Sequence, residues 1–374
     1  MPKSSHNPQA SRPSRERSDR PAVAVLGVGQ MGLVCAGILS SPDAGGVPGD
    51  PLPLRRPLRV RMWGHSSEEA GRLAQTRRSS RLDNFRLPDE VKVSWRDGEA
   101  LEGVRLIVSA IPVQYIRDTW MRLAPNVPLG VPVVSVAKGI ENTTLLRPTQ
   151  IIGEALRAAG RDDPDLPARS LACLSGPTIA PELARCLPAA MIAASDDAAL
   201  ARQLQSLFST SWMRIYTNTD LLGVELAGAV KNVIAIAAGI VDGLQAGYNA
   251  KSALLARGLA EIARLGLAMG ASPDTFFGIA GVGDLATTCF SPEGRNRSCG
   301  EALGKGVPLA EYIAKSPHVV EGVATCRSVM DLARKYRVEM PITSAVHAVL
   351  FEGVDPIEAI GRLMSREPKA ERVG

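Results

Sequence analysis

Aromatic side chains are scarce in this chain. Four tryptophans, five tyrosines and six phenylalanines make up 4% of 374 residues. A protein that binds nucleic acid by stacking bases needs more of them, and the net charge of +5 does not compensate. The first twenty residues carry five Lys/Arg against Glu16 and Asp19, which leaves only about +2 for all the rest. Nucleic acid is therefore not an expected partner. The six cysteines (Cys35, Cys173, Cys186, Cys289, Cys299 and Cys326) form no CxxC pair and no matched histidine spacing, so no metal site is expected. Scattered free cysteines in apolar contexts suit a reducing, cytoplasmic compartment. The N-terminal MPKSSHNPQASRPSRERSDR lacks the apolar stretch of a signal peptide. The longest apolar run, Val233–Val241, is too short to span a bilayer, so no stable membrane insertion is expected.

What is present is a two-part pattern. Residues 1–20 read as a disordered Ser/Arg/Pro-rich tail. From Pro21 onward, short β-rich runs alternate with helical stretches, with strands expected at 22–27, 58–64, 91–95, 104–111, 131–137, 170–176 and 189–195. Near-continuous apolar strands separated by helices predict a mostly parallel sheet covered on both faces. A Pro/Gly-rich insertion at 41–57 separates the first helix from the second strand. After WMRIYTN the character turns helical, with helices expected at 220–245, 250–270, 297–304, 322–336, 342–352 and 356–366. The expected organisation is an α/β Rossmann-type dinucleotide-binding domain at 21–214 and an all-α substrate domain at 215–374.

Gly27-Val28-Gly29-Gln30-Met31-Gly32 follows the first strand and opens a helix. Glycines there allow a tight turn, close approach of backbone to a pyrophosphate, and close packing of helix on strand. The helix N-terminus offers free N–H groups to the phosphates. The second strand ends in Trp63-Gly64-His65-Ser66, with no carboxylate before Glu68. A ribose 2′-hydroxyl is usually held by an acid at that point. Its absence tolerates a 2′-phosphate, so NADPH is expected to serve at least as well as NADH.

A second feature is LAGAVKNVIAIAAGIVDGL, Leu226–Leu244, an almost wholly apolar helix that carries Lys231 and Asn232. The neighbours of Lys231 one turn away are Ala227, Gly228, Ile234 and Ala235, so no polar stripe leads its charge to water. Either the lysine snorkels along its own stem, or it is buried for its proton chemistry. Further loops carry chemistry-bearing residues: SVAKGIE with Lys138, LSGPTIAPELA with Gly176 and Thr178, the Gly-rich GVGDLATTC loop with Asp284, and SPEGRNRSCG with Arg295 and Asn296 at a helix start.

Taken together and in this order, these segments resemble the bacterial-type NAD(P)-dependent glycerol-3-phosphate dehydrogenases, from about residue 22 to residue 366. The resemblance implies reversible hydride transfer between NAD(P)H and dihydroxyacetone phosphate, giving sn-glycerol 3-phosphate for phospholipid synthesis. It implies that Lys231 transfers the proton and that Lys138 meets both cofactor and substrate. It places Gly176, Thr178, Asn232, Asp284, Thr288, Arg295 and Asn296 near substrate. Gly27, Gly29, Gln30, Met31, Gly32, His65, Lys138, Ala180, Arg295, Val319 and Glu321 fall to the cofactor. Met31 stands where the family usually has an aromatic residue, and Gly294 where many relatives have serine. A homodimer is left open. Two rival readings remain at this point: a related two-domain dehydrogenase of a β-hydroxyacid, and an inactive dinucleotide sensor. The second predicts loss of Lys231, Lys138 or Arg295, and all three are present.

Overall fold

The computed structural model describes residues 21–42, 57–162, 168–316, 319–367 and 370. The expected tail and nearly all of the 41–57 insertion lie outside the described residues. Eight strands form one sheet: β1 (Ala22–Leu26), β2 (Arg59–Trp63), β3 (Lys92–Ser94), β4 (Val104–Ser109), β5 (Val133–Ser135), β6 (Leu171–Ser175), β7 (Ala189–Ala194) and β8 (Met213–Asn218). Their order is β3-β2-β1-β4-β5-β6-β7-β8. All neighbours pair in parallel except β6 and β7. The helices α1 (Gln30–Ser40), α2 (Ser67–Thr76), α3 (Asp97–Leu101), α4 (Ile116–Leu123), α5 (Pro148–Ala158), α6 (Ala180–Ala184) and α7 (Ala198–Phe208) connect them.

Two apolar cores on opposite faces of the sheet explain why its strands read as continuous hydrophobic runs. Val23 and Val25 enter one core, and Ala22, Ala24 and Leu26 the other. The chain order reverses between β1 and β4, which leaves a crevice beyond their carboxyl ends, where open α/β sheets bind ligands.

The seven expected strands all form. The eighth, β8, was not among them, and it moves the expected boundary at 214/215. Its six residues pair in parallel with β7 through Asn218, so the sheet ends at Asn218 and the helical part begins at Leu221. The reason is its one-sided burial. Met213 and Ile215 are buried while Arg214 and Tyr216 are exposed, a period of two that a search for continuous apolar runs passes over.

The C-terminal part contains α8 (Leu221–Gly243), α9 (Gly247–Met269), α10 (Pro273–Phe277), α11 (Asp284–Phe290), α12 (Arg295–Gly304), α13 (Leu309–Lys315), α14 (Glu321–Tyr336), α15 (Pro341–Phe351) and α16 (Pro356–Met364). Asp220 caps α8, its carboxylate accepting from Gly223 N at 2.8 Å. Every residue of α8 from Gly223 to Val241 is buried, because α9, α11, α12, α14 and α15 surround it. By length and composition α8 could cross a membrane, but its most apolar window lies wholly inside the fold. A carboxylate also joins the two parts: Glu225 of α8 accepts from Thr149 N at 3.0 Å and Thr149 Oγ1 at 2.7 Å, and pairs with Arg147.

Candidate active site

The glycines of the first turn divide their work. Gly27 sits at φ +115°, and a Cβ there would lie 2.6 Å from the Ala110 carbonyl oxygen, the residue after β4. A Cβ on Gly32 would lie 2.1 Å from the Gly27 carbonyl oxygen, so this glycine sets how closely α1 packs on the turn. Gly29 is different, since its Cβ would meet nothing within 4 Å. Open space above a backbone is what an approaching phosphate needs. No side chain caps α1 and no acid stands in its first turn, so its free N–H groups remain available to an anion. The turn therefore fits a dinucleotide pyrophosphate.

Beyond this turn lies a cleft of about 340 Å³. It gathers residues from both parts of the chain: Gly29, Gln30 and Met31 of the turn, Lys138 after β5, Thr178 and Ala180 after β6, and Lys231, Thr288, Arg295, Asn296 and Glu321 from the helices. Gly27, Gly32, Gly176, Asn232 and Asp284 are not among its lining residues. His65 and Val319 are exposed and lie outside its lining. His65 follows β2, edge-on to Trp63 with ring centroids 6.1 Å apart.

At the inner end of the cleft, one carboxylate holds two ammonium groups. Lys231 Nζ donates to Asp284 Oδ1 at 2.6 Å, and Lys138 Nζ donates to Asp284 Oδ2 at 2.7 Å. Lys231 also donates to Thr288 Oγ1 at 2.6 Å, and that hydroxyl donates in turn to the Asp284 carbonyl oxygen at 2.7 Å. Lys138 further donates to the Gly176 carbonyl at 2.8 Å and to Thr178 Oγ1 at 3.2 Å. Gly176 reaches this position with φ at +122°. Asp284 is 1% exposed and Lys231 5%. Snorkelling is therefore excluded for Lys231.

Burial is the main cause that pulls the Lys231 pKa from its ordinary 10.5 to about 8. The charge of Asp284 opposes the shift, and that of Lys138 adds to it. A buried amine that titrates near neutrality can deliver or take a proton. Arg295 opens α12, and desolvation lowers its pKa against the field of Glu321. Burial raises the Glu321 carboxyl, with the nearby Arg295, Lys138 and Lys231 pulling the other way. Asn296 is fixed by accepting from Gly322 N at 2.9 Å, which ties α12 to the start of α14.

One expectation changes in form. The Gly-rich stretch before Asp284 was expected to be a loop, but Ile279–Gly283 winds as a single π-helical turn that leads straight into α11. Asp284 and Thr288 consequently stand one turn apart on a helix. The glycine signal misled because Gly281 permits a close contact here, not a bend. A Cβ on it would lie 2.0 Å from the Phe276 carbonyl oxygen. Asp284 as the carboxylate shared by two lysines was not foreseen, and the residue pair Asp-x-x-x-Thr was the available signal. Ala110, Ile111 and Pro112, at the carboxyl end of β4, also line the cleft and were missed.

Residues 22–201 match the family model described as NAD-dependent glycerol-3-phosphate dehydrogenase N-terminus, and residues 220–361 match the corresponding C-terminus. The chain belongs to the NAD-dependent glycerol-3-phosphate dehydrogenase family. It is 41% identical over 350 residues to glycerol-3-phosphate dehydrogenase [NAD(P)+] of Chlorobium limicola, covering 93% of this chain and 99% of the relative. It is 42% identical to a Mycobacterium tuberculosis protein of the same name, covering 93% and 98%. Among solved structures, the Coxiella burnetii glycerol-3-phosphate dehydrogenase superposes with a TM-score of 0.83 at 32% identity, covering 93% of this chain and 99% of that one. The matched segments of the family meet between residues 201 and 220, around the end of β8.

Proposed function

We propose that the cleft interconverts dihydroxyacetone phosphate and sn-glycerol 3-phosphate, with Lys231 moving the proton, and that the product feeds phospholipid synthesis in the cytoplasm. The observation that carries this reading is the buried Lys231, held near neutral pKa against Asp284 at the inner end of a cleft that opens onto the Gly27–Gly32 turn. A nicotinamide cofactor, when bound, supplies or accepts the hydride at C2 of the substrate. Gly29 and the N–H groups at the start of α1 would hold its phosphates. As the C2 carbonyl is reduced, negative charge develops on its oxygen. The Lys231 ammonium stabilises that charge and gives up a proton to it. In the oxidative direction, neutral Lys231 accepts the proton from the C2 hydroxyl.

Lys138 holds one carboxylate oxygen of Asp284, and the other oxygen orients Lys231. Arg295, at the start of α12, grips the substrate's phosphate, with Asn296 beside it. The chain works as a cofactor-binding sheet domain and a catalytic helical domain. His65 is exposed, and among the described residues the nearby acids are already paired, Asp97 with Arg122, Glu68 with Arg72 and Glu69 with Arg81, which leaves room for a 2′-phosphate. The test is a steady-state assay of purified protein with dihydroxyacetone phosphate and each reduced cofactor. Turnover with NADPH or NADH supports the reading. Binding of cofactor without turnover overturns it in favour of a sensor.

A further inference from the structure

Gln30 is the first residue of α1, at the point where phosphates are expected, yet both ends of its side-chain amide are already engaged. Its Oε1 accepts from Arg295 Nη2, and its Nε2 donates to the backbone carbonyl of Arg81 at 2.8 Å. A guanidinium can only donate and a carbonyl can only accept, so the orientation of the amide is fixed by its partners. The two contacts join different parts of the molecule. Arg295 opens α12 in the helical part, whereas Arg81 follows α2 in the sheet part. The Arg81 side chain is itself held by Glu69, from Nη2 to Oε2 at 3.2 Å and through Nε to Oε1. The anchor is therefore pinned as well. Among the described residues no carboxylate hydrogen-bonds Arg295, and Glu321 acts on it only through its field.

We infer that Gln30 is a positioning residue for Arg295. Its amide spans the gap between the two parts, takes one guanidinium nitrogen, and leaves Nη1 and Nε for a phosphate. A neutral acceptor suits the task, since it orients the fork without cancelling the charge that must attract the substrate. This role is separate from the backbone N–H groups that the same residue offers to a cofactor. The inference rests on reading Arg295 as the phosphate grip.

The test is a double-mutant cycle with Gln30→Met and Arg295→Ala. Methionine keeps length and approximate volume but has neither amide atom. With cofactor saturating, Gln30→Met should raise KM for dihydroxyacetone phosphate about tenfold, the loss expected for one hydrogen bond to a charged group. In the Arg295→Ala background the same change should add less than about twofold, because there is nothing left to orient. If the two effects multiply, or if only the KM for cofactor rises, Gln30 serves the cofactor alone and the inference is overturned. Arg295→Ala measured alone separates the two ideas. Should it harm dihydroxyacetone and its phosphate equally, the phosphate grip itself is wrong. Should it harm the phosphate selectively while the cycle is additive, only the role of Gln30 falls. Gln30→Asn, one methylene too short to reach both partners, carries the same cycle if Gln30→Met does not fold.

Discussion

Replacing Lys231 by methionine tests the proton-transfer assignment without leaving a charge stranded. The ammonium has two partners, Asp284 at 2.6 Å and Thr288 at 2.6 Å, but Asp284 keeps Lys138 at 2.7 Å when Lys231 is gone. Two energies then compete. Losing one partner of a buried ion pair costs about 3–5 kcal/mol. Against this, the drop of the Lys231 pKa from 10.5 to about 8, already net of the pull of Asp284, means that the fold disfavours the charged form by roughly 3 kcal/mol, and methionine removes that penalty. The near balance predicts a folded variant, and thermal melting checks it. The sign of the pH dependence follows from linkage. Between pH 8 and 10.5 the unfolded lysine binds more proton than the folded one, so wild-type stability should rise with pH over that window, and the variant should lose this slope. In catalysis kcat should fall by about 10²–10⁴, while cofactor titration stays nearly normal. Wild-type reduction should weaken as pH climbs through about 8, and oxidation should strengthen. A Lys231→Met enzyme that keeps a tenth of wild-type kcat would refute the assignment.

Arg295→Ala should lose about 2–4 kcal/mol in kcat/KM toward dihydroxyacetone phosphate, and wild type and variant should process unphosphorylated dihydroxyacetone almost equally poorly. Arg295→Lys should recover only part, and equal damage to both substrates contradicts a phosphate role. NADPH should turn over at least as well as NADH, and His65→Asp should shift the ratio toward NADH; an unchanged ratio means the exposed His65 does not reach the ribose. Gly300→Ala should destabilise by about 3 kcal/mol in urea melts, since its Cβ would fall 1.9 Å from the Ile236 carbonyl oxygen; an unmoved midpoint would mean that α8 and α12 part easily.

What the sequence revealed and what it concealed follow from the kind of force involved. The Gly27–Gly32 turn was legible because three constraints meet there, namely a left-handed φ, a close helix contact and an open approach. The first two exclude a side chain, and the third leaves open space above the backbone. Lys231 was legible as an anomaly, a charge with no polar face to leave by. The carboxylate that resolves the anomaly was less so, since Asp284 lies 53 residues further on and only the fold brings the two together. The same holds for Glu225 and Arg147, which tie α8 to the sheet part across 78 residues. Edge strand β8 was hidden because it is half exposed, and α11 because glycines stand just before it. His65 and Val319 were assigned by position in a resemblance, and the structure leaves both at the surface.

The relation between Lys231 and Arg295 depends on contacts with no polar atom in their side chains. Helices α8 and α12 run parallel and touch through four glycines. A Cβ on Gly239 would lie 1.9 Å from the Arg297 carbonyl oxygen, and one on Gly243 would lie 2.3 Å from that of Glu301. From the other side, Gly300 faces the Ile236 carbonyl, and Gly304 faces that of Ile240 at 2.6 Å. Backbones this close cannot slide, because a shift of one residue brings Ile240 or Glu301 against a neighbouring helix where only hydrogen fits. The register therefore sets the start of α12 about one turn beyond Lys231 along α8. Asp242 reinforces it from the end of α8, accepting from Arg297 Nε at 2.6 Å and Lys251 Nζ at 2.7 Å. In the proposed reaction Lys231 gives the proton and Arg295 grips the phosphate, so the two must keep a fixed spacing if a three-carbon substrate is to present its C2 oxygen to one while the other holds its phosphate. In this protein that spacing is set by glycine backbones, and the charged groups are carried on a frame they do not themselves hold together.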